Sequence, residues 1–180
     1  MQILIPAAGM GKRLGSETYD KTKAMVEVNG KTLIERCLDS VVMHPIDRII
    51  LVVGYEKEKL KSFLGESYKG LDIVYVENND YATTNNIYSV FLAKDYLLED
   101  DTILIESDLI FEPKLLQMVV QNKFENLALV DKYKPWMDGT VVKINNDFSI
   151  SHFISKTDFD YNKVHEYYKT VNIYKFSKSF

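Results

Sequence analysis

The chain predicts a doubly wound α/β unit over its first two-thirds, followed by a mostly β extension. Three observations carry this. Unbroken apolar runs at Ile3–Ile5, Ile49–Val53 and Ile103–Ile105 read as strands buried on both faces. Between these runs, apolar residues recur at helical spacing. After Leu127 the alternation gives way to four strand-like runs.

Taken in order, Gln2 to Pro6 is the first strand, and Thr32 to Met43 is a helix with Leu33, Ile34, Cys37, Leu38, Val41 and Val42 on one side. Arg48 to Val53 is a strand, Glu56 to Leu64 a short charged helix, and Asp72 to Val76 a third strand. Asn86 to Leu98 is helical, with Ile87, Val90, Phe91 and Leu97 at the right spacing. Thr102 to Glu106 is a strand, and Pro113 starts a helix at the position proline favours. The extension holds strands at Leu127–Val130, Thr140–Ile144, Ile150–Ile154 and Thr170–Phe176, with Asn145-Asn146-Asp147 as a turn.

At 180 residues and 46% hydrophobic composition, one domain with a sizeable core is expected. A net charge of −4 without blocks of like charge argues against a nucleic-acid surface. No signal peptide is read, no run reaches the ~20 apolar residues of a membrane span, and cytoplasm is the default. Cys37, alone of its kind and among apolar helix positions, is a core residue. The three histidines have no metal spacing and no paired nucleophile.

The chemistry concentrates directly after the first strand, in Ala7-Ala8-Gly9-Met10-Gly11-Lys12-Arg13-Leu14. Small residues let backbone N–H groups converge on anionic oxygens, and Lys12 and Arg13 add positive charge. This reads as a phosphate cradle; the alternative is a Gly-rich turn without a ligand. A Walker A loop is excluded by Pro6 and Arg13, which stand where it needs Gly and Ser or Thr. A dinucleotide fingerprint is excluded by Leu14 in place of its third glycine, and by a second strand that ends in Gly54-Tyr55 rather than an acid.

The loop resembles the A-A-G-x-G-x-R-L loop of the nucleotidyltransferases that activate phosphorylated small molecules with an NTP. The resemblance extends over essentially the whole chain, most strongly over residues 1–30 and 77–111. It implies their Rossmann-like doubly wound mixed sheet. In the segment Glu77 to Ser89, an N-x-x-Y pattern (Asn78, Tyr81) precedes N-N-x-Y-S (Asn85 to Ser89). That arrangement resembles the cytidylyltransferases acting on phosphocholine and on aminoalkyl phosphonates such as 2-aminoethylphosphonate. Asn78, Thr84 and Asn85 suit the mixed donor and acceptor edge of a pyrimidine, and Thr84 to Asn86 equally suit a helix cap.

Further roles follow from the resemblance. CTP phosphates would lie in the loop from Ala7 to Arg13, with Arg13 steadying the leaving pyrophosphate. Lys23 would hold the phosphate of the acceptor or the α-phosphate; Thr22 before it departs from the usual proline. Ser107-Asp108 fits the family's small residue followed by aspartate, with Mg²⁺ on Asp108. An aspartate past a strand end is also placed to hold a hard cation on its own account, or to cap a helix.

Trp136, the only tryptophan, lies in a loop with Asp131 and Asp138, and these could receive an ammonium group by cation–π attraction and charge; otherwise the ring packs on the extension. Members of the family usually continue past the point where this chain stops, and a second metal-binding aspartate lies in that later part. Asp158 and Asp160 come too early to replace it. The expectation is a catalytic domain truncated relative to a longer chain. It would be a Mg²⁺-dependent cytidylyltransferase for a small amino-bearing phosphate or phosphonate. A sugar-1-phosphate nucleotidyltransferase and a non-catalytic NTP-binding domain stay open, and oligomeric state is not readable.

Overall fold

The computed structural model describes residues 1–179, the Arg13 side chain excepted. These residues form two compact units, Met1–Leu127 with residues 174–179, and Ala128–Ile173.

The first unit is built on a mainly parallel sheet. Strand β1 (Gln2–Ala7) is buried along its whole length, with β4 (Arg48–Val53) paired to one side from Gln2↔Arg48 to Ala7↔Val53. On its other side lies β7 (Thr102–Ile105), from Gln2↔Thr102 to Leu4↔Leu104. Outward of β4 come β6 (Leu71–Glu77), also parallel, and the two-residue β5 (Ser67–Tyr68), antiparallel at the edge.

The resulting order, β7-β1-β4-β6-β5, reverses direction at β1. The chain first builds outward through β4 and β6, then returns to the far side of β1 with β7. Ligands in open α/β sheets bind at such a switch point, beyond the carboxyl ends of the strands. The cradle leaves β1 and Ser107-Asp108 leaves β7 at that place.

Helices cover the sheet as their patterns require. Helix α1 (Leu33–Val41) starts one residue later than expected because Thr32 caps it. Glu35 N–H donates to Thr32 Oγ1 at 3.2 Å, and Thr32 N–H donates to Glu35 Oε2 at 2.9 Å. Its buried stripe, Leu33, Ile34, Cys37, Leu38 and Val41, is as expected except for Val42, which falls at the C-cap and is half-buried. Helix α2 spans Lys57–Leu64 and α5 spans Pro113–Val120, with the proline in the first turn.

The single helix expected over Asn86–Leu98 is two helices, α3 (Asn86–Leu92) and α4 (Lys94–Glu99). No Gly or Pro marks the break. Ala93, fully buried against Leu4, Ile50 and Val52, donates three residues back to Val90 O, and the next helix starts from it. Tertiary packing overrides the local pattern here. Two short elements were also missed: β2 (Glu27–Val28) and β3 (Lys31–Thr32) form a hairpin around Asn29-Gly30. Both turn residues have positive φ (51° and 72°), as a type I′ turn needs.

The four strands expected in the extension are present, the first and last longer than expected, the second one residue shorter and the third as expected. They are β8 (Leu127–Lys132), β9 (Val141–Ile144), β10 (Ile150–Ile154) and β11 (Tyr167–Phe176). β9 pairs antiparallel with β10 and with β11. Phe159 fills one end, its ring centroid 5.1 Å from Tyr133, 4.9 Å from Tyr161 and 5.0 Å from Tyr167. The last residues of β11, Tyr174–Phe176, belong to the first unit.

Candidate active site

The cradle is shaped by contacts that only small residues permit. Ala7 and Ala8 are buried, and Ala8 O accepts from Tyr55 N–H at 3.0 Å, which ties the exit of β1 to the exit of β4. Gly54, between those exits, has no room for a side chain. A Cβ there would lie 2.8 Å from Tyr81 Cβ and 2.9 Å from both Ala8 Cβ and Ala8 O. Three loops, following β1, β4 and β6, therefore meet at Gly54. In sequence, Gly54 stands out only as the non-acidic residue that follows β4 where a dinucleotide site needs an acid.

Gly9 and Gly11 serve different ends. Nothing lies within 4 Å of a Cβ on Gly9, so this part of the loop faces open space. Gly11 has φ +62°, and its Cβ would press on Thr18 Cγ2 at 3.0 Å and Lys23 Cβ at 3.1 Å. The loop continues as a 3₁₀ turn over Lys12–Thr18, closed by Leu14 N–H to Gly11 O at 2.9 Å and Thr18 Oγ1 to Gly11 O at 3.1 Å. Its far end is pinned by Tyr55 O–H to Tyr19 O at 2.6 Å and Lys59 Nζ to Asp20 O at 2.5 Å. Met10 is half-buried and Lys12 exposed. The expected role of Arg13 falls on a side chain outside the described residues.

Lys23 and Asp108 meet. The Nζ of Lys23, on a 3₁₀ turn over Lys23–Met25, is ion-paired with Asp108 Oδ2. Both side chains keep some exposure, 39% for Lys23 and 23% for Asp108, so the pair opens to solvent at the switch point. Ser107, next to it, is buried. Two residues chosen on separate grounds, 85 positions apart, thus share one contact.

The segment after β6 corrects one expectation. Asn78 is buried and spends its amide internally. Its Nδ2 donates to Thr84 Oγ1 and to Ser89 Oγ, each at 3.1 Å, and its Oδ1 accepts from Asp80 N–H at 3.0 Å. It clamps the loop rather than offering an edge to a base. Thr84 Oγ1 also donates to Asp80 O at 2.8 Å. Asn85 caps α3, its Oδ1 accepting from Tyr88 N–H at 3.3 Å, and remains exposed.

Asn86 and Glu106 were not picked out from the sequence. Asn86 Nδ2 donates to the Glu106 carboxylate at 2.9 and 3.1 Å. Both line a cleft of about 250 Å³ with Pro6, Ile87, Val90, Leu104, Tyr174 and Phe176. The only available signal was position, since Glu106 ends β7 two residues before Asp108.

At the sheet edge, Glu77 is held by Lys57 and Lys61, whose hydrogen bonds bring its carboxyl down to about 2 despite a small opposing effect of burial. The Trp136 loop lies in the second unit. Trp136 is 77% exposed, with Lys134 Nζ 5.3 Å from its ring centroid, so the ring face already receives a cation. Asp131 and Asp138 are exposed, each accepting from the backbone N–H of the next residue, at 2.8 and 2.9 Å.

The donor set at Asp108 fits a hard divalent cation of one kind only. Among the described residues no group of three or more His, Cys, Asp or Glu could hold a metal. One partly exposed carboxylate at the open end of the sheet suits an ion that takes the rest of its oxygens from a bound ligand and water.

A family model for the MobA-like NTP transferase domain matches residues 3–134, the stretch that contains the cradle, Lys23 and Asp108. The chain belongs to that family. Within the MobA-like NTP transferases it is similar to a CMP-5'-(3-aminopropyl)phosphonate synthase of Streptomyces rubellomurinus, 30% identical over 86% of this chain and 24% of that protein. It is also similar to a 2-aminoethylphosphonate cytidylyltransferase of Lancefieldella rimae, 38% identical over 62% of this chain and 46% of that protein. The matches thus span less than half the length of either relative. An inositol-1-phosphate CTP transferase from T. maritima has a similar structure, with a TM-score of 0.74 at 25% identity over 99% of this chain and 71% of that one. The expected mixed α/β sheet is the fold of this MobA-like chain.

Proposed function

We propose that this chain transfers CMP from CTP to a small phosphate or phosphonate that carries an amine, releasing pyrophosphate. The observation that carries the reading is the meeting of Lys23 and Asp108 beside the Ala7–Gly11 cradle, at the point where the strand order reverses. The naming of two similar proteins for cytidylyl transfer to aminoalkyl phosphonates supports the choice of base and acceptor.

In this reading the triphosphate lies across the loop from Ala7 to Lys12, whose exposed Gly9 lets phosphate oxygens approach the backbone. Arg13 and Lys12 neutralise charge on the β- and γ-phosphates. Lys23 turns from Asp108 to the α-phosphate or the acceptor anion. An acceptor oxygen attacks the α-phosphorus in line. A new P–O bond forms there, the bond from that phosphorus to the bridging oxygen of the β-phosphate breaks, and pyrophosphate carries away the electron pair. No covalent enzyme intermediate is required.

Asp108 would hold Mg²⁺, which when bound supplies charge neutralisation at the α-phosphate and between two repelling anions. The protein contributes position and fixed positive charge, as in other phosphoryl-type transfers. Thr84, held by the Asn78 clamp, and Asn85, at the cap of α3, are the residues assigned to the cytosine or ribose.

The test is pyrophosphate release with Mg²⁺, each of four NTPs being set against 2-aminoethylphosphonate, phosphocholine and glucose-1-phosphate. Release with CTP and an amino-bearing acceptor supports the reading. Release with a sugar phosphate moves it to a sugar-1-phosphate nucleotidyltransferase. NTP binding without release makes this a binding domain.

A further inference from the structure

The ion pair between Lys23 and Asp108 has a consequence for the order in which ligands are taken up. We infer that Lys23 is a resident counter-ion of Asp108, which a divalent cation displaces only when the phosphates of a nucleotide give the lysine another partner. This rests on the reading above that Asp108 is the metal-binding carboxylate.

The ammonium group and a metal ion compete for one carboxylate. Among the described residues no group of three or more His, Cys, Asp or Glu could hold a metal, so an ion arriving alone finds no full set of protein ligands, and the Asp108 carboxylate is already paired. A hard cation held by one or two protein carboxylates depends on phosphate and water for its other ligands.

Lys23 is also built into the cradle. A Cβ on Gly11 would lie 3.1 Å from Lys23 Cβ, so the stem of the lysine runs against the loop that would receive phosphates. Its side chain is 39% exposed, and the ammonium group on that long flexible stem can change partner from carboxylate to phosphate without moving the backbone. Phosphates that attract Lys23 release Asp108 for the metal, and a metal on Asp108 releases Lys23 for phosphate. The coupling is therefore positive and reciprocal.

The two binary equilibria test it, each measured without the other ligand. Mn²⁺ binding to the nucleotide-free chain is read from the EPR signal of unbound ion. CTP binding is measured calorimetrically in metal-free buffer. Lys23→Met should tighten Mn²⁺ binding by about 1.5- to fivefold, the range for a partly exposed ion pair, while weakening metal-free CTP binding. Asp108→Asn should weaken Mn²⁺ binding and tighten metal-free CTP binding. That gain should shrink in the Lys23→Met background, because the freed lysine is its source.

Unchanged or weaker Mn²⁺ binding in Lys23→Met, with Mn²⁺ binding still lost in Asp108→Asn, overturns the inference and leaves the metal assignment standing. Mn²⁺ binding indifferent to Asp108→Asn overturns the metal assignment itself. A merely structural lysine would not move the two ligands in opposite directions.

Discussion

Replacing Gly54 by alanine is the sharpest test of how the site is assembled. The added Cβ would lie 2.8 Å from Tyr81 Cβ and 2.9 Å from Ala8 Cβ and Ala8 O. Two of these neighbours are the first atoms of side chains and one is backbone, so none can move aside without moving its loop. Overpacking of this kind costs about 1–3 kcal/mol. For a chain of this length 1 kcal/mol corresponds to about 2–4 °C in melting temperature, and a 2 kcal/mol cost lowers Tm by about 4–8 °C. The displaced groups include Ala8, so CTP binding should weaken as well.

Gly9→Ala is the matched control. Its Cβ meets nothing within 4 Å and its φ is not positive, so stability should stay within about 0.5 kcal/mol. The methyl nevertheless stands where phosphates would approach the backbone, and CTP affinity should fall by about tenfold, or 1.4 kcal/mol. Thermal melting with and without CTP reads both effects. A Gly54→Ala protein that melts within 1 °C or so of the parent would refute the close meeting of the three loops. A Gly9→Ala protein that binds CTP as before would remove the cradle from the nucleotide site.

Three further outcomes follow. Asn78→Ala should cost about 1–3 kcal/mol in urea unfolding, because the Thr84 and Ser89 hydroxyls and the Asp80 N–H lose their buried partner; a loss below about 0.5 kcal/mol would deny it the clamp. Cys37, whose thiol burial pushes up to about 12, should not react with a thiol reagent at pH 8 until the chain is unfolded; rapid labelling of the native protein would contradict this. At Asp39 burial works to raise the carboxyl, but hydrogen bonds from Lys31, Lys69 and Tyr68 outweigh it and bring it to about 2. The folded chain thus holds this carboxylate ionised below the unfolded value of about 3.9, so its contribution is whole above about pH 4 and lost as pH falls toward 2. Asp39→Asn should reduce stability at neutral pH by about 1 kcal/mol and flatten the acid limb of a pH–stability curve; an unaltered limb would contradict the pairing.

The parts of this molecule legible in the sequence are those set by local pattern. β1 is recognisable because its residues are apolar without interruption, and the cradle because small and basic residues follow at once. Helix α1 is recognisable from its stripe and from Thr32 and Glu35. The hairpin at Asn29-Gly30 carried a readable turn signal that two-residue strands made easy to overlook.

What escaped depends on distant neighbours. The break at Ala93 is imposed by the sheet beneath it. Gly54 is needed because of Ala8 and Tyr81, which no sequence window joins to it. Asn78 looks from sequence like a polar group for a ligand, and the fold turns it inward. Lys23 and Asp108 were legible one at a time, whereas their contact requires β7 to return to the side of β1.

The most direct measurement is the rate of pyrophosphate release from CTP and 2-aminoethylphosphonate with Mg²⁺, for this chain and for Asp108→Asn, with Tm recorded for both. The expected result is release by the parent chain and a loss of at least about 10²-fold in the variant, at unchanged Tm. A folded Asp108→Asn protein that releases pyrophosphate within a few-fold of the parent rate would contradict the assignment of the reaction centre.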